Sequence, residues 1–287
     1  LPIYRSGPRP AGRRRVRRPQ LLPDRRLAGD VGQLLDRSLA LGEHVDQLGP
    51  TLEASIPGWT AGQSTTRIYP LLKALTLDVA TKVFMAGRGG SEDTDAINDA
   101  FVATVRAASS IIRFPLPGTR WRAGVRGRAL LEDYFTRHLP TARSAQGDDL
   151  FAGLCHACTA DGEAFTDEDV VNHMIFLMMA AHDTLTSSLT SFVAALADNP
   201  QWQDRLRSEV TALGVAPDAP TTFDNLEAMP LAEMAFKESM RMRPPVPSIP
   251  RRATREFSFG GYTIPANTLV GVNPLYTHYM PDVWPEP

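Results

Sequence analysis

Cysteine is nearly missing. Cys155 and Cys158 are the only two in 287 residues, too few for a disulfide framework and in keeping with a reducing, cytoplasmic setting. Long apolar runs are missing as well: nothing reaches the roughly 18 to 20 residues of a membrane span, and no secretory signal pattern is visible. An excess of one charge is missing too. A formal net charge of −2 argues against nucleic acid as the main partner. Repeats and low-complexity tracts do not occur, which removes solenoid and fibrous classes. What is present, 43% hydrophobic residues with ordinary charge, describes a globular chain able to bury a substantial core as one large domain or two small ones.

The first thirty residues differ from the rest. Nine arginines lie between Arg5 and Arg26 among prolines and glycines, with little apolar periodicity, so residues 1–30 are expected to be poorly ordered or foreign to the domain that follows. A basic arm for nucleic acid would interleave aromatics, and a mitochondrial presequence would be amphipathic and serine-rich; this segment is neither. A frameshifted or truncated reading frame is a further expectation here. Residues 31–287 form the domain proper.

From Val31 the periodicity becomes helical. Val31 to Trp59 carries breaks at Gly49-Pro50 and Pro57-Gly58, Tyr69 to Met85 is strongly amphipathic, and Asp95 to Ile112 ends at Phe114-Pro115-Leu116-Pro117-Gly118. The stretch Pro115 to Arg128 reads as a basic connection leading into a helix over Ala129 to Leu139.

The stretch Thr166 to Asn199 predicts one long helix. Its upstream half, Val170 to Met179, is apolar on every face and belongs in a core. Thr166 with Asp169 has the form of a capping box, Asp167 and Glu168 suit the positive end of the dipole, and Asn199-Pro200 stops the run. A polar cluster then interrupts the helix: His182, Asp183, Thr184, Thr186, Ser187 and Ser188. Buried polar groups cost several kcal/mol, roughly, unless hydrogen-bonded. Two arrangements satisfy them. Thr184 and Ser188 can bond back to carbonyls one turn earlier with Asp183 at a solvated edge; or Asp183 and Thr184, preceded by the small Ala180 and Ala181, can relay protons beside a flat, bulky group.

Cys155-His156-Ala157-Cys158, with His173 beyond, admits a zinc site but supplies few ligands at compatible spacing; small buried thiols in a helix are the plainer reading. After the long helix, Trp202 to Leu213 and Leu231 to Arg243 are helical, the second opened by Pro230 and stopped by Pro244-Pro245. Glu238 and Arg241, three apart on one face, can form a bidentate ion pair. Arg251 to Val272 alternates, with a Gly260-Gly261 break and a Pro265-Ala266-Asn267 turn, and predicts short strands of a small sheet.

These motifs together resemble the cytochrome P-450 family. Ala180-Ala181-His182-Asp183-Thr184 is similar to the family's small-Gly-x-acid-Thr oxygen-binding helix, with Ala181 where glycine is commoner. Lys237 to Pro247 resembles its E-x-x-R helix and following turn, and His278 to Pro287 the segment ahead of its iron-ligand loop. The resemblance implies a mainly α, cytochrome P-450-like domain with a small β portion, incomplete at both ends. It implies heme b in the full-length parent and a haem-thiolate monooxygenase inserting one oxygen atom of O2 into a lipophilic small molecule. A ferredoxin or flavoprotein reductase would donate electrons, in a soluble, bacterial-type cytoplasmic protein. It assigns proton delivery to Asp183 and Thr184, the haem face to Ala180 and Ala181, a propionate contact to Arg251, the substrate border to Val246, Ser248 and Ile249, and a structural brace to Glu238 and Arg241. The stretch Pro115 to Arg128 resembles the connection over the substrate entrance in family members that hydroxylate steroid-like lipids. The family's Phe-x-x-Gly loop with the proximal cysteine does not occur in this sequence, so the fragment alone is expected to be inactive. The alternatives are a P-450-like remnant that binds no haem and a helical binding protein with zinc at Cys155 and Cys158.

Overall fold

The computed structural model describes residues 41–59, 65–86, 94–108, 110–145, 149–158, 162–216, 219 and 222–284. Residues 1–40, the arginine-rich segment among them, lie outside the described residues. The helices are α1 (Leu41–Ser55), α2 (Ile68–Met85), α3 (Thr94–Ala108), α4 (Arg120–Ser144), α5 (Leu150–His156), α6 (Asp167–Asp198), α7 (Pro200–Ala212), α8 (Phe223–Glu227), α9 (Pro230–Met242) and α10 (Pro274–His278), with a 3-10 turn over Ile56–Trp59. The strands are β1 (Ile249–Arg252), β2 (Phe257–Phe259), β3 (Tyr262–Ile264) and β4 (Leu269–Val272). The domain is mainly α with a small β portion, as expected. No helix among the described residues is long and apolar enough to cross a membrane.

α6, 32 residues long, spans roughly 48 Å at 1.5 Å per residue. Its start is the capping box read from the sequence: the Thr166 hydroxyl accepts from Asp169 N at 3.2 Å, and the Asp169 carboxylate accepts from Thr166 N at 3.2 Å. Three acidic residues follow in the first turn, where they meet the positive end of the dipole. Val171, Met174, Ile175, Met178, His182 and Thr186 are buried, a 3–4 spacing that puts one stripe against the core. Phe176, Leu177 and Met179 are half-buried, so the helix is not enclosed all round; its flank there is open.

The core lies where α2, α3, α4 and α5 pack around the first half of α6. Phe101, Leu131, Phe135, Phe151, Leu154, Met174 and Ile175 have almost no exposed surface. Each contributes about 1.5–3 kcal/mol by leaving water. Phe135 meets Phe151 edge-on at 5.9 Å between centroids, a favoured aromatic geometry.

Three helix boundaries correct the sequence reading. α1 runs through Gly49-Pro50, with Pro50 on its exposed side. α3 stops at Ala108 rather than Ile112. α4 begins at Arg120 and includes most of the stretch read as a connection. The reason is Gly124 and Gly127: a Cβ on Gly124 would lie 2.2 Å from Ala107 Cβ, and one on Gly127 would lie 2.7 Å from the Ala100 carbonyl oxygen. These glycines let α4 approach α3 closely; they do not break it.

At the C-terminal end, β1 pairs antiparallel with β4, Arg251 opposite Val270. β2 and β3 form a hairpin whose corner residues, Gly260 and Gly261, have φ of 58° and 81°, the signature of a turn that only glycine adopts readily. The α9 start has no side-chain cap of its own. Glu209 of α7 supplies one, accepting from Leu231 N at 2.7 Å and Ala232 N at 2.9 Å.

Candidate functional site

The middle of α6 has two sides. Toward α2 the side chains are sealed: His182 is fully buried, and Thr186 nearly so. Away from α2, Ala180 and Ala181 are half-buried and Thr184 is exposed. Asp183 sits at the border, its side chain 34% exposed.

Hydrogen bonds tie the sealed side to α2. The Thr76 and Thr186 hydroxyls lie 2.6 Å apart, Thr186 also donates to the His182 carbonyl at 2.8 Å, and His182 Nε2 lies 3.1 Å from the Lys73 carbonyl. Lys73 Nζ reaches Asp183 Oδ1 at 3.5 Å, with its own side chain 10% exposed. A buried ammonium is costly without a partner, so this carboxylate is what makes Lys73 tolerable inside. Burial pushes the His182 pKa below 6.5, against the raising effects of the Lys73 carbonyl and the Asp183 carboxylate. The ring is neutral at physiological pH.

The back-bonded arrangement foreseen for the polar cluster is seen at Thr184. Thr184 Oγ1 donates to the Ala180 carbonyl at 2.8 Å, the back-bonded form, and Asp183 is partly solvated. The acid and the alcohol also stand consecutively beside two methyl-only side chains on an open flank. Thr184 has spent its proton on Ala180, and its oxygen lone pairs still accept.

The second constellation is at α9. Arg241 donates from Nε to Glu238 Oε2 at 2.8 Å and from Nη2 to Oε1 at 2.7 Å, and from Nη1 to the His278 carbonyl at 2.6 Å. The guanidinium also stacks near Trp284, 5.1 Å from its centroid. The Arg241 hydrogen bond is the main reason that Glu238 has a lowered pKa, and the same bond raises that of Arg241.

Arg251 is exposed on β1, donating to the Pro250 carbonyl at 3.0 Å. Val246 and Ser248, between α9 and β1, are exposed, and Ile249, the first residue of β1, is half-buried. Cys155 is buried in α5, as the plainer reading had it, but Cys158 is exposed beyond that helix. His173 is engaged elsewhere, bonded to the Asp169 carbonyl at 2.7 Å and stacked on Phe165. No group of three or more His, Cys, Asp or Glu side chains able to hold a metal ion occurs among the described residues, so the zinc arrangement is not assembled there. Sequence reasoning missed Lys73 and Thr76. Their three-residue spacing on α2 was the available signal, but nothing in it named α6 as the partner.

A helical domain built on one long helix, with small residues, an acid and an alcohol at its open middle and an E-x-x-R ion pair on a later helix, has the architecture of the large haem-binding helical folds. The chain belongs to the cytochrome P-450 family: the model of that family, cytochrome P-450, matches residues 51–287. It is 40% identical over 231 residues to a protein named cytochrome P-450 136 of Mycobacterium tuberculosis, covering 80% of this chain and 46% of that one. It is 24% identical over 235 residues to taxane 10-beta-hydroxylase of Taxus cuspidata, covering 79% of this chain and 47% of that one. Among solved structures, retinoic acid-bound cyanobacterial CYP120A1 matches with a TM-score of 0.78 at 24% identity, over 91% of this chain and 59% of that one. The chain thus spans about half the length of the curated relatives it matches.

Proposed function

We propose that the full-length protein is a haem-dependent monooxygenase that inserts one oxygen atom of O2 into a lipophilic small molecule. Its electrons would come from a ferredoxin or flavoprotein reductase, and its setting would be the cytoplasm. The observation that carries this reading is the open flank of α6, where half-exposed Asp183 and exposed Thr184 follow two alanines. A lipophilic substrate agrees with the taxane named for one relative.

The residues present fit one face of a haem. Ala180 and Ala181 carry nothing beyond Cβ, so a flat ring can lie against the helix there, and Arg251 would hold a propionate carboxylate. Bound heme b supplies the oxygen activation and insertion chemistry. The chain supplies the rest. Asp183 would take a proton from solvent at its exposed edge and hand it to a Thr184 lone pair, while the Thr184 hydroxyl proton leaves the Ala180 carbonyl for the open flank beside Ala180 and Ala181, so that one proton enters and one departs. Val246, Ser248 and Ile249 would border the substrate and exclude water. Glu238 and Arg241 would hold α9 against the segment after α10, keeping that border in place.

The test is isotopic. Full-length protein supplied with reductant, a terpenoid or steroid panel and 18O2 is expected to give a product carrying one 18O atom. Products labelled only from water, or no product with any member of the panel despite haem loading, would sink the assignment.

A further inference from the structure

Between Asp99 and Glu132 the chain carries six arginines and no acidic residue, in a protein whose net charge is −2. Within this interval, residues 110–119 lie between α3 and α4 and include Ile111-Ile112-Arg113-Phe114-Pro115-Leu116-Pro117. The apolar side chains face outward: Ile111 is 99% exposed, Phe114 70%, Leu116 57% and Ile112 55%. A single exposed apolar residue needs no explanation, but four within residues 111–116 make a patch, and such patches mark contact surfaces.

The backbone holds the loop in this form. The Leu116 N–H donates to the Phe114 carbonyl at 2.8 Å, and the Thr119 N–H to the Leu116 carbonyl at 3.2 Å. The Thr119 hydroxyl lies 3.2 Å from the Phe114 carbonyl and 2.8 Å from that of Leu116. The same hydroxyl accepts from Arg122 N at 3.2 Å and so caps α4. Pro115 and Pro117 have no N–H to satisfy. A loop enters hydrocarbon at high cost when its peptide groups are bare. At this tip the N–H groups of Leu116 and Thr119 are paired, both carbonyls that flank Pro115 and Leu116 have donors, and two prolines remove two further N–H groups.

Charge surrounds the patch. Arg113 stands within it, its Nε donating to the Ser110 carbonyl at 3.4 Å, and Arg120 and Arg126 are exposed in the first turns of α4. We propose that this loop docks the protein on an anionic lipid bilayer, with Ile111, Ile112, Phe114 and Leu116 entering the acyl boundary and Arg113, Arg120 and Arg126 meeting headgroup phosphates. Attachment of this kind is peripheral and requires no spanning helix. The sign of the charge decides the occupant. A second copy would bring the same arginines against these, whereas a negative leaflet attracts each basic side chain near its surface.

The test is sedimentation of the full-length, haem-loaded protein with vesicles, either phosphatidylcholine alone or phosphatidylcholine mixed with phosphatidylglycerol. Binding requires no turnover, so it is decided apart from the oxygenase reading. The protein is expected to sediment with the mixed vesicles and far less with phosphatidylcholine alone, and added salt should weaken the attachment. Ile111→Ser and Phe114→Ser should each lower the affinity roughly tenfold, the scale of one buried apolar side chain. Arg113→Gln, Arg120→Gln and Arg126→Gln should each lower it roughly fivefold and reduce the salt dependence. Val210→Ser, at an exposed apolar position of α7, should leave it unchanged. Because Ile111 is almost wholly exposed, its replacement does not endanger the fold.

Equal binding to both kinds of vesicle overturns the proposal. So does binding that the loop substitutions leave intact, or that Val210→Ser weakens as much as they do. Failure of the parent to bind either vesicle also overturns it, and assigns the patch to an acidic protein or to the remainder of the full-length chain.

Discussion

Arg241 and Glu238 meet fork to fork, with two N–H···O bonds of 2.7 and 2.8 Å, and the remaining arginine arm holds the His278 carbonyl 37 residues downstream. His278 answers in kind, its Nδ1 lying 2.9 Å from the Arg241 carbonyl. The pair therefore does more than join two turns of α9: it fastens α9 to α10. Lysine keeps the charge but has no planar fork. Arg241→Lys is expected to destabilise the fold by about 2–4 kcal/mol, since hydrogen bonds to a buried charge are lost. Urea unfolding checks this, and a loss under about 0.5 kcal/mol, the usual surface range, would show that the brace is idle.

Stability should depend on pH in two windows. His182 has a folded pKa below its ordinary 6.5, so the unfolded chain binds the proton more readily and the contribution of His182 is present above pH 6.5 and lost as pH falls below it. Glu238 has a folded pKa below its ordinary 4.5, so its contribution is present above pH 4.5 and lost below. Chemical unfolding between pH 7.5 and pH 5, a span of about 2.5 units, should show a decline of at most about 1.4 kcal/mol per unit from one proton. His182→Gln should flatten this decline and leave the acid limb below pH 4.5 in place. A slope unchanged by that substitution would refute the assignment of the upper window.

Gly127→Ala separates two opposing effects. Alanine is the better helix former by about 1 kcal/mol, but its Cβ would stand 2.7 Å from the Ala100 carbonyl oxygen, a backbone atom that cannot rotate away. Forcing α3 and α4 apart should dominate, with a net loss of about 1–3 kcal/mol. A rise in thermal midpoint would mean that the close approach is not required.

Glu209→Ala removes the cap that α7 lends to the start of α9. The two N–H groups then face solvent or nothing, and the expected loss is about 1–2 kcal/mol. Because α9 carries Glu238 and Arg241, hydrogen exchange in its first turn should accelerate before exchange elsewhere in the domain. Unaltered exchange at Leu231 and Ala232 would contradict the cap.

What could be read from the sequence were the features that a local pattern determines. The Thr166 box, the proline stop after Asn199, the three-residue spacing of Glu238 and Arg241, and the Gly260-Gly261 corner each depend on neighbours within one turn. The contacts that escaped are those between helices far apart in the chain. Lys73 reads as one charge on an amphipathic helix; only folding places it 110 positions away from its own sequence neighbourhood, against Asp183. The stretch through Gly124 and Gly127 reads as a basic connection because a sequence shows its charges and not the neighbouring helix that these glycines admit. The polar cluster in α6 was visible, but its division into a sealed half and an open half depends on which flank α2 covers.

The most direct test of the central claim is the reduced, carbon monoxide-bound absorption spectrum of the full-length protein loaded with haem. The account predicts a Soret band at the position of a thiolate-ligated haem, since the thiolate push is what fits this family's iron for O–O cleavage. Haem that fails to bind, or binds with a band at the position of a nitrogen-ligated haem, would contradict it and leave Asp183 and Thr184 without the chemistry assigned to them.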